Sequence, residues 1–256
     1  MSNEVKNLCL VTISAVFAGS LLAAPAMADC SKLPNFAKVQ VALKASAKPS
    51  GGESNGGLDL NMWASVVDRD GVVCVVTFTG KDRGAQWPGS RVISAQKANT
   101  ANAFSLDALA LSTANLFSAV QPGGSLYGLQ HSNPVNTAVA YGSDSELEGT
   151  IRDPMVGKKI GGVNVFGGGL ALYDASGVIG AVGVSGDTSC ADHNVAWRVR
   201  KALGLGKVPG GVSPTKDDGI IYDIANGASK GGFGHPTCGG KEADVATSIG
   251  SGAVAK

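Results

Sequence analysis

Two β-hairpin patterns, well separated along the chain, constrain the fold more than any other feature of this sequence. In the first, residues 62–79 place valine-rich runs on both sides of the turn Asp-Arg-Asp-Gly at 68–71. In the second, residues 163–185 have the same form around Asp-Ala-Ser-Gly at 174–177. β-Branched residues on both sides of a short turn that ends in glycine are typical of antiparallel hairpins. The sequence therefore predicts an antiparallel sheet built from two hairpins.

Helical patterns surround these hairpins. Apolar spacing, Pro34 near a helix start and Gly204 at a helix end predict four helices, at residues 34–47, 90–101, 105–121 and 190–203. Residues 125–160 show no clear period, which is typical of a functional loop or of short pieces of structure. The predicted order is helix-hairpin-helix-helix-hairpin-helix, and helices packed against an antiparallel sheet define the α+β class.

The first 28 residues have the features of a cleaved signal peptide. Lys6 precedes an apolar run at residues 8–24, and Ala26-Met27-Ala28 places small residues before a cleavage point at Asp29. The run is marginal for a membrane span, which needs roughly 20 apolar residues, and no later segment has this character. Asp29 before Cys30 is also unsuited to lipoprotein processing. We therefore expect a periplasmic or secreted protein without a membrane span after cleavage.

Four cysteines follow the predicted signal: Cys30, Cys74, Cys190 and Cys238. An even number in an exported protein favours two disulfides, although four cysteines allow three pairings. We favour Cys190 with Cys238, which attaches a glycine-rich tail, and Cys30 with Cys74. The alternative is that one or both pairs stay reduced.

Beyond the signal, we expect one α+β domain at residues 29–204 and a glycine-rich C-terminal extension at 205–256. The extension contains one weak strand pattern at 219–224, and its last residues have the composition of a disordered end. The formal net charge is +1, and no cluster of lysine or arginine occurs. The chain therefore lacks the charge pattern of a protein that binds nucleic acid or an anionic membrane surface.

Several segments in this order resemble the GlcG/HbpS family of small haem-binding proteins, which is related to the C-terminal domain of some cobalamin adenosyltransferases. The resemblance covers about residues 33–204, and the segments that carry it are 66–71, Lys97-Ala98-Asn99-Thr100-Ala101, 168–172 and 180–186. It implies an oligomeric α+β protein that binds haem or a related tetrapyrrole. The chain departs from the family at Ala171, where proline is common, and in its cysteines, its 125–160 segment and its tail.

The resemblance implies a haem site between the Lys97 helix, the glycine strand and the 125–160 segment. His131 is the candidate axial ligand, because haem iron takes His, Met, Cys or Tyr. Lys97 and Thr100 share a helix face beside the implied pocket, and Gly168 and Gly169 allow close approach to the backbone. The alternative for His131 is a surface imidazole without a ligand, and for Lys97 a solvated lysine or one that reaches a carbonyl.

Two other histidines have simpler interpretations. His193 follows Asp192 at a helix start, where the carboxylate favours the helix N-terminus. His235 is interpreted as a residue that docks the tail near Cys238. Ser185 is followed by Asp187 and His193, but the sequence does not meet the G-x-S-x-G pattern of a nucleophile elbow.

Two rival functions remain open at the level of sequence. One is an enzyme that acts on a small organic molecule, with Lys97, Ser185 or Asp192 as acid–base groups, and a buried lysine with a shifted pKa would favour it. The other is an oligomeric scaffold or sensor partner without a small ligand.

Overall fold

The two predicted hairpins form a single antiparallel sheet in the computed structural model, which describes residues 29–142 and 144–254. The predicted signal peptide lies outside the described residues. The sheet has four strands in the order β2-β1-β4-β3, so the hairpins join through β1 and β4. Its strands are β1 (Trp63–Asp68), β2 (Val73–Phe78), β3 (Gly169–Asp174) and β4 (Gly177–Ser185). The predicted α+β class is confirmed.

Helices cover both faces of this sheet. The α-helices are α1 (Phe36–Ser46), α2 (Ser90–Ala103), α3 (Leu129–Ser132), α4 (Thr137–Tyr141), α5 (Ser189–Ala202) and α6 (Glu242–Ile249). Helix α2 packs on one face, against Trp63, Val67 and Ala181, whereas α1 and α5 pack on the other. Successive strand residues point to opposite faces of the sheet, and here both sets are largely apolar. Both faces can therefore be covered by helices, and the sheet is the middle of three layers. Among the described residues, no helix is long and apolar enough to cross a membrane.

Glycine in β4 brings α2 unusually close to the sheet. A Cβ atom on Gly183 would collide with the carbonyl oxygen of Ser94 in α2. Next to this contact, the Ser94 and Ser65 hydroxyls lie 2.8 Å apart and form a buried hydrogen bond between helix and strand. The small residue on β4 therefore sets the height of α2 above the sheet.

The helix predicted at residues 105–121 is wrong, because this described stretch forms no α-helix. Two 3₁₀ turns, Thr113–Leu116 and Ser118–Val120, follow an irregular stretch. The Ser105 hydroxyl bonds to the backbone of Leu111, and Asn115 bonds to both the N–H and the hydroxyl of Ser112. Polar side chains of this kind offer the backbone an alternative to helical hydrogen bonds.

The 125–160 segment contains α3, α4 and the 3₁₀ turn Ser145–Leu147, and a buried arginine fixes it to α2. Two nitrogens of Arg91 contact the two carboxylate oxygens of Asp153 at 2.8 and 2.6 Å. A third nitrogen of Arg91 donates to the carbonyl of Ala140 at 3.0 Å. The segment is thus anchored to α2 by side chains, and at its end to β2 by backbone hydrogen bonds that join Val73 to Gly157 and Lys158.

The C-terminal extension is folded against α5 and the 3₁₀ turn Thr113–Leu116, contrary to the expected disordered end. The predicted strand at 219–224 is present as β5 (Ile220–Tyr222), which pairs in parallel with the last strand, β8 (Gly252–Val254). Two further short strands, β6 (Ile224–Ala225) and β7 (Ala228–Ser229), form a hairpin. Arg200 of α5 holds the extension through two bonds to Asp218, at 2.6 and 2.7 Å.

Both favoured disulfides are present. Cys190 and Cys238 join the start of α5 to the extension, with Cα atoms 6.0 Å apart. Cys30 and Cys74 join the beginning of the described chain to β2, with Cα atoms 5.6 Å apart. The remaining 3₁₀ turns, Cys30–Lys32 and Lys48–Ser50, lie on either side of α1.

Candidate functional site

Lys97 is completely buried between α2 and the sheet, where it forms an ion pair. Its ammonium lies 2.6 Å from Oδ2 of Asp192, in the first turn of α5, and donates to the carbonyl of Val184 at 3.1 Å. The other oxygen of Asp192 accepts from the backbone N–H of Asp187 at 2.9 Å. Residues far apart in the sequence therefore meet as a fully hydrogen-bonded charge pair.

Burial acts against both charges of this pair. It lowers the pKa of Lys97 and raises the pKa of Asp192 to about 6, while the attraction between the two groups opposes each shift. Burial is the larger cause for each group, because desolvation of a charge in the interior is expensive. A buried lysine with a shifted pKa is the feature that favours acid–base chemistry near this point.

Gly168 and Gly169 lie directly against Lys97, and they leave no space for a ligand there. A Cβ on Gly168 would lie 3.2 Å from the Lys97 ammonium and would collide with the carbonyl of Val184. A Cβ on Gly169 would collide with the Lys97 carbonyl and with the Thr113 side chain. The φ of +114° at Gly168 also requires glycine. The glycine strand therefore serves tight packing over α2.

Thr100 has a structural contact one turn further along α2. Its hydroxyl donates to the Gln96 carbonyl at 2.8 Å and accepts from the Asn164 N–H at 3.0 Å. This contact positions the chain that leads into the glycine strand.

His131 lies apart from this buried cluster, on the surface. It belongs to the short helix α3 and is exposed. Leu129 of the same helix packs against an apolar cluster that contains Val165. Leu126 and Tyr127, just before α3, have 37% and 63% of their surface exposed. The structure thus brings together Lys97, Gly168 and Gly169, and it places His131 beside exposed apolar side chains.

His193 is buried in α5 and contacts the extension. Its Nε2–H donates to the carbonyl of Ser251 at 3.1 Å, next to β8. Burial lowers the pKa of His193 to about 3, so the ring is neutral at pH 7. The cap of α5 is the Thr188 hydroxyl, which accepts from the Ala191 N–H.

A second buried histidine forms a contact that the sequence did not suggest. The Ser189 hydroxyl lies 2.8 Å from Nε2 of His235, and Nδ1 of His235 lies 2.7 Å from the Pro236 carbonyl. Ser189 precedes Cys190, and His235 precedes Cys238 by three residues. The favoured Cys190–Cys238 pairing was therefore the signal from which this proximity could have been found.

Ser189 and Asp192 open into a small pocket. It has a volume of about 250 Å³, and Ser185 and Asp187 contribute to its polar wall. Its apolar wall is formed by Ile93 together with Trp87 and Phe166, which are 50% and 46% exposed. A larger groove of about 810 Å³ runs along α1 and is lined by small and apolar residues with Lys32 and Lys38.

The family of haem degrading HbpS-like proteins matches residues 52–200 of this chain. Among solved structures, the chain is similar to the Klebsiella pneumoniae protein ORFY of the DUF336 family, with 27% identity and a TM-score of 0.45 over 66% of this chain and 86% of that one. A complex of PduOC with haem is 24% identical, with a TM-score of 0.46 over 66% of this chain and 92% of that one.

A double mutant of HbpS from Streptomyces reticuli is 15% identical, with a TM-score of 0.42 over 77% of this chain and 99% of that one. No curated protein sequence matches the chain. The structural similarities are too weak to carry an argument, but the family match spans more than half of the sequence. On that match, the chain belongs to the HbpS-like family of haem degrading proteins.

Proposed function

We propose that this chain is an exported protein that binds haem or a related tetrapyrrole, with His131 as the axial ligand. The observation that carries the proposal is the family match over residues 52–200. Two disulfides, of which one ties down the extension, suit an oxidising compartment such as the periplasm or the exterior. A signal peptide at residues 1–28 that is cleaved before Asp29 remains part of the proposal.

The donor set favours His131 over the other two histidines. His193 and His235 are buried, and both rings are hydrogen-bonded to backbone carbonyls, so neither can reach an iron without local unfolding. His131 is exposed, and Tyr127, which is four residues earlier, carries a second side chain of a type that ligates haem iron. The residues present therefore fit a haem that lies on the surface beside α3.

The volumes of the cavities support a surface position. The pocket beside Asp192 has about 250 Å³, which is too small to enclose a haem, since drug-sized ligands already occupy roughly 300–1,000 Å³. The groove along α1 is large enough, but its lining residues include no His, Met, Cys or Tyr among those described. Lys97, Thr100, Gly168 and Gly169 contribute indirectly, by fixing α2 and the chain that packs on it.

When bound, the haem iron supplies redox and oxygen chemistry, and the chain supplies the surface that holds and orients the macrocycle. Leu126 and Tyr127, which are exposed just before α3, would provide apolar contact to the macrocycle. We propose that the chain assembles into a homo-oligomer, since exposed apolar side chains also include Tyr141 and Ile151. Light scattering with and without haemin tests this homo-oligomer.

The test of haem binding is a haemin titration of the oxidised protein, followed at the Soret band. We expect a saturable shift with one haem per chain. His131→Ala should weaken binding at least tenfold or move the band, because the iron loses its ligand. Gln130→Ala, on the same short helix, is the matched control and should bind as the parent does. The absence of saturation would refute haem binding, and an unchanged spectrum in His131→Ala would refute the ligand assignment.

A further inference from the structure

The contact between Ser189 and His235 has the geometry of a nucleophile and its base. The two atoms, Oγ and Nε2, lie 2.8 Å apart, within the range of catalytic serine–histidine pairs. Nδ1 of His235 lies 2.7 Å from the carbonyl oxygen of Pro236, which can only accept a hydrogen bond. Nδ1 therefore carries the proton, and Nε2 is the free acceptor that faces the serine hydroxyl.

Two backbone N–H groups are available beside the Ser189 hydroxyl. The N–H of Gly167 points at Oγ from 2.8 Å. Ser189 is also the first residue of α5, where an N–H has no acceptor within the helix. The Ser189 N–H can stabilise an oxyanion that forms on a carbonyl attacked by Oγ, whereas the Gly167 N–H binds Oγ itself and holds it in position. Gly167 is required here, because a Cβ would collide with the Ser189 carbonyl.

The adjoining pocket defines the class of molecule that reaches the serine. Trp87, Ile93 and Phe166 form an apolar wall, and about 250 Å³ admits a small molecule or one arm of a larger one. Asp187 and Asp192 add carboxylates on the polar side, which disfavours anionic substrates. The pocket therefore suits a small, neutral, apolar or aromatic acyl compound.

We propose that Ser189 and His235 form a catalytic pair that hydrolyses small neutral esters with good leaving groups. The proposal goes beyond haem binding and does not depend on it. Burial, with the charge of Lys97 as a lesser cause, lowers the pKa of His235 to about 4. The imidazole is then neutral at pH 7 but is a weak base, so the ester must be activated, as an aryl ester is.

The reaction balances with water as the only co-reactant. Oγ of Ser189 attacks the ester carbonyl, its proton passes to Nε2 of His235, and a bond forms between Oγ and the acyl carbon. The bond from that carbon to the leaving oxygen then breaks, and the leaving group takes the proton from Nε2. Water hydrolyses the acyl-serine by the same route, releases the acid and restores the hydroxyl.

The experiment treats the full disulfide-bonded protein with diisopropyl fluorophosphate and maps the adduct by mass spectrometry. We expect one phosphoryl group per chain, on Ser189, with release of fluoride. The wild-type map requires no variant, so it is informative even if a variant fails to fold. An adduct that is absent, or that lies on another residue, overturns the proposal.

Variants separate catalysis from docking of the extension. Ser189→Ala should abolish labelling and the burst of nitrophenol from p-nitrophenyl acetate, and His235→Gln should slow labelling at least tenfold. Ser118→Ala is the matched control: its hydroxyl donates to the carbonyl of Gly234, beside His235, so it removes another contact with the same tail outside the pocket. We expect it to label at the wild-type rate. Labelling of His235→Gln at the wild-type rate would show that the contact only docks the tail.

Discussion

The buried pair of Lys97 and Asp192 predicts an unequal response to the loss of one or both charges. In Lys97→Met, the Asp192 carboxylate stays buried, with 3% of its side chain exposed, and keeps only the Asp187 N–H as a partner. Removal of one member of a buried pair costs about 3–5 kcal/mol, because it leaves an uncompensated charge. We expect the free energy of unfolding of Lys97→Met to fall by this amount at pH 7.

The double variant Lys97→Met, Asp192→Asn should be more stable than Lys97→Met alone. It contains no buried charge at this point, and the asparagine oxygen can still accept from the Asp187 N–H. The remaining loss is the hydrogen bond to the Val184 carbonyl, for which about 1–3 kcal/mol is expected. The second substitution should therefore restore roughly 2 kcal/mol.

Urea unfolding at pH 7 and pH 5 measures these differences. Burial raises the pKa of Asp192 from 3.8 in the unfolded chain to about 6 in the folded protein. The folded state therefore binds the extra proton, and it loses stability as pH rises from about 4 to above 6. Lys97→Met should therefore be less destabilised at pH 5 than at pH 7. Lys48→Met, which breaks the partly exposed pair with Asp59, is the control and should cost less than about 1 kcal/mol. A double variant less stable than Lys97→Met would refute the reasoning.

Three further changes test other parts of the structure. Burial lowers the pKa of His193 to about 3, so the imidazole is protonated in the unfolded state, but not in the folded state, as pH falls below about 6.5. Between pH 7 and pH 5 the free energy of unfolding of the wild type should therefore fall by roughly 2 kcal/mol more than that of His193→Gln. Urea unfolding at both pH values measures this difference. The double variant Cys190→Ser, Cys238→Ser removes a disulfide between residues 48 apart in the sequence, which should lower the free energy of unfolding by about 4 kcal/mol. Amide exchange in the extension should become faster, and unchanged exchange would contradict this. Arg91→Met leaves Asp153 buried without its partner, and limited proteolysis should then cut the 125–160 segment faster than in wild type.

Local sequence patterns were sufficient to predict the two hairpins. Both hairpins rest on neighbouring residues, because the turns at 68–71 and 174–177 and the valine runs beside them determine pairing locally. The pairing of β1 with β4, which joins the hairpins, has no such local signal, although Gly183 and Ser65 face each other across it. The order of the strands therefore had to come from the structure.

The candidate site was harder to predict, because the same residues serve packing as readily as binding. Gly168 and Gly169 indicated close approach of another group, and the groups that approach are the Val184 carbonyl of β4 at Gly168 and the Lys97 carbonyl of α2 at Gly169. The folded end of the extension was also missed. Small residues such as Ala246 and Gly252 carry little apolar signal, but a Cβ on Gly252 would collide with Ile220, so their smallness is what permits the close pairing.

The positions of the two proposed sites follow from how completely the interior is filled. Lys97, Thr100 and the glycine strand are buried and packed closely where α2 meets the sheet, and the two proposed sites lie outside this cluster. The exposed His131 lies inside the segment that matches the HbpS-like family, whereas His235 lies outside it. The proposed haem site at His131 should therefore also occur in other members of the family that have a histidine at the matching position. The Ser189–His235 pair requires the extension and the disulfide that holds it, and esterase activity should be confined to chains that carry both.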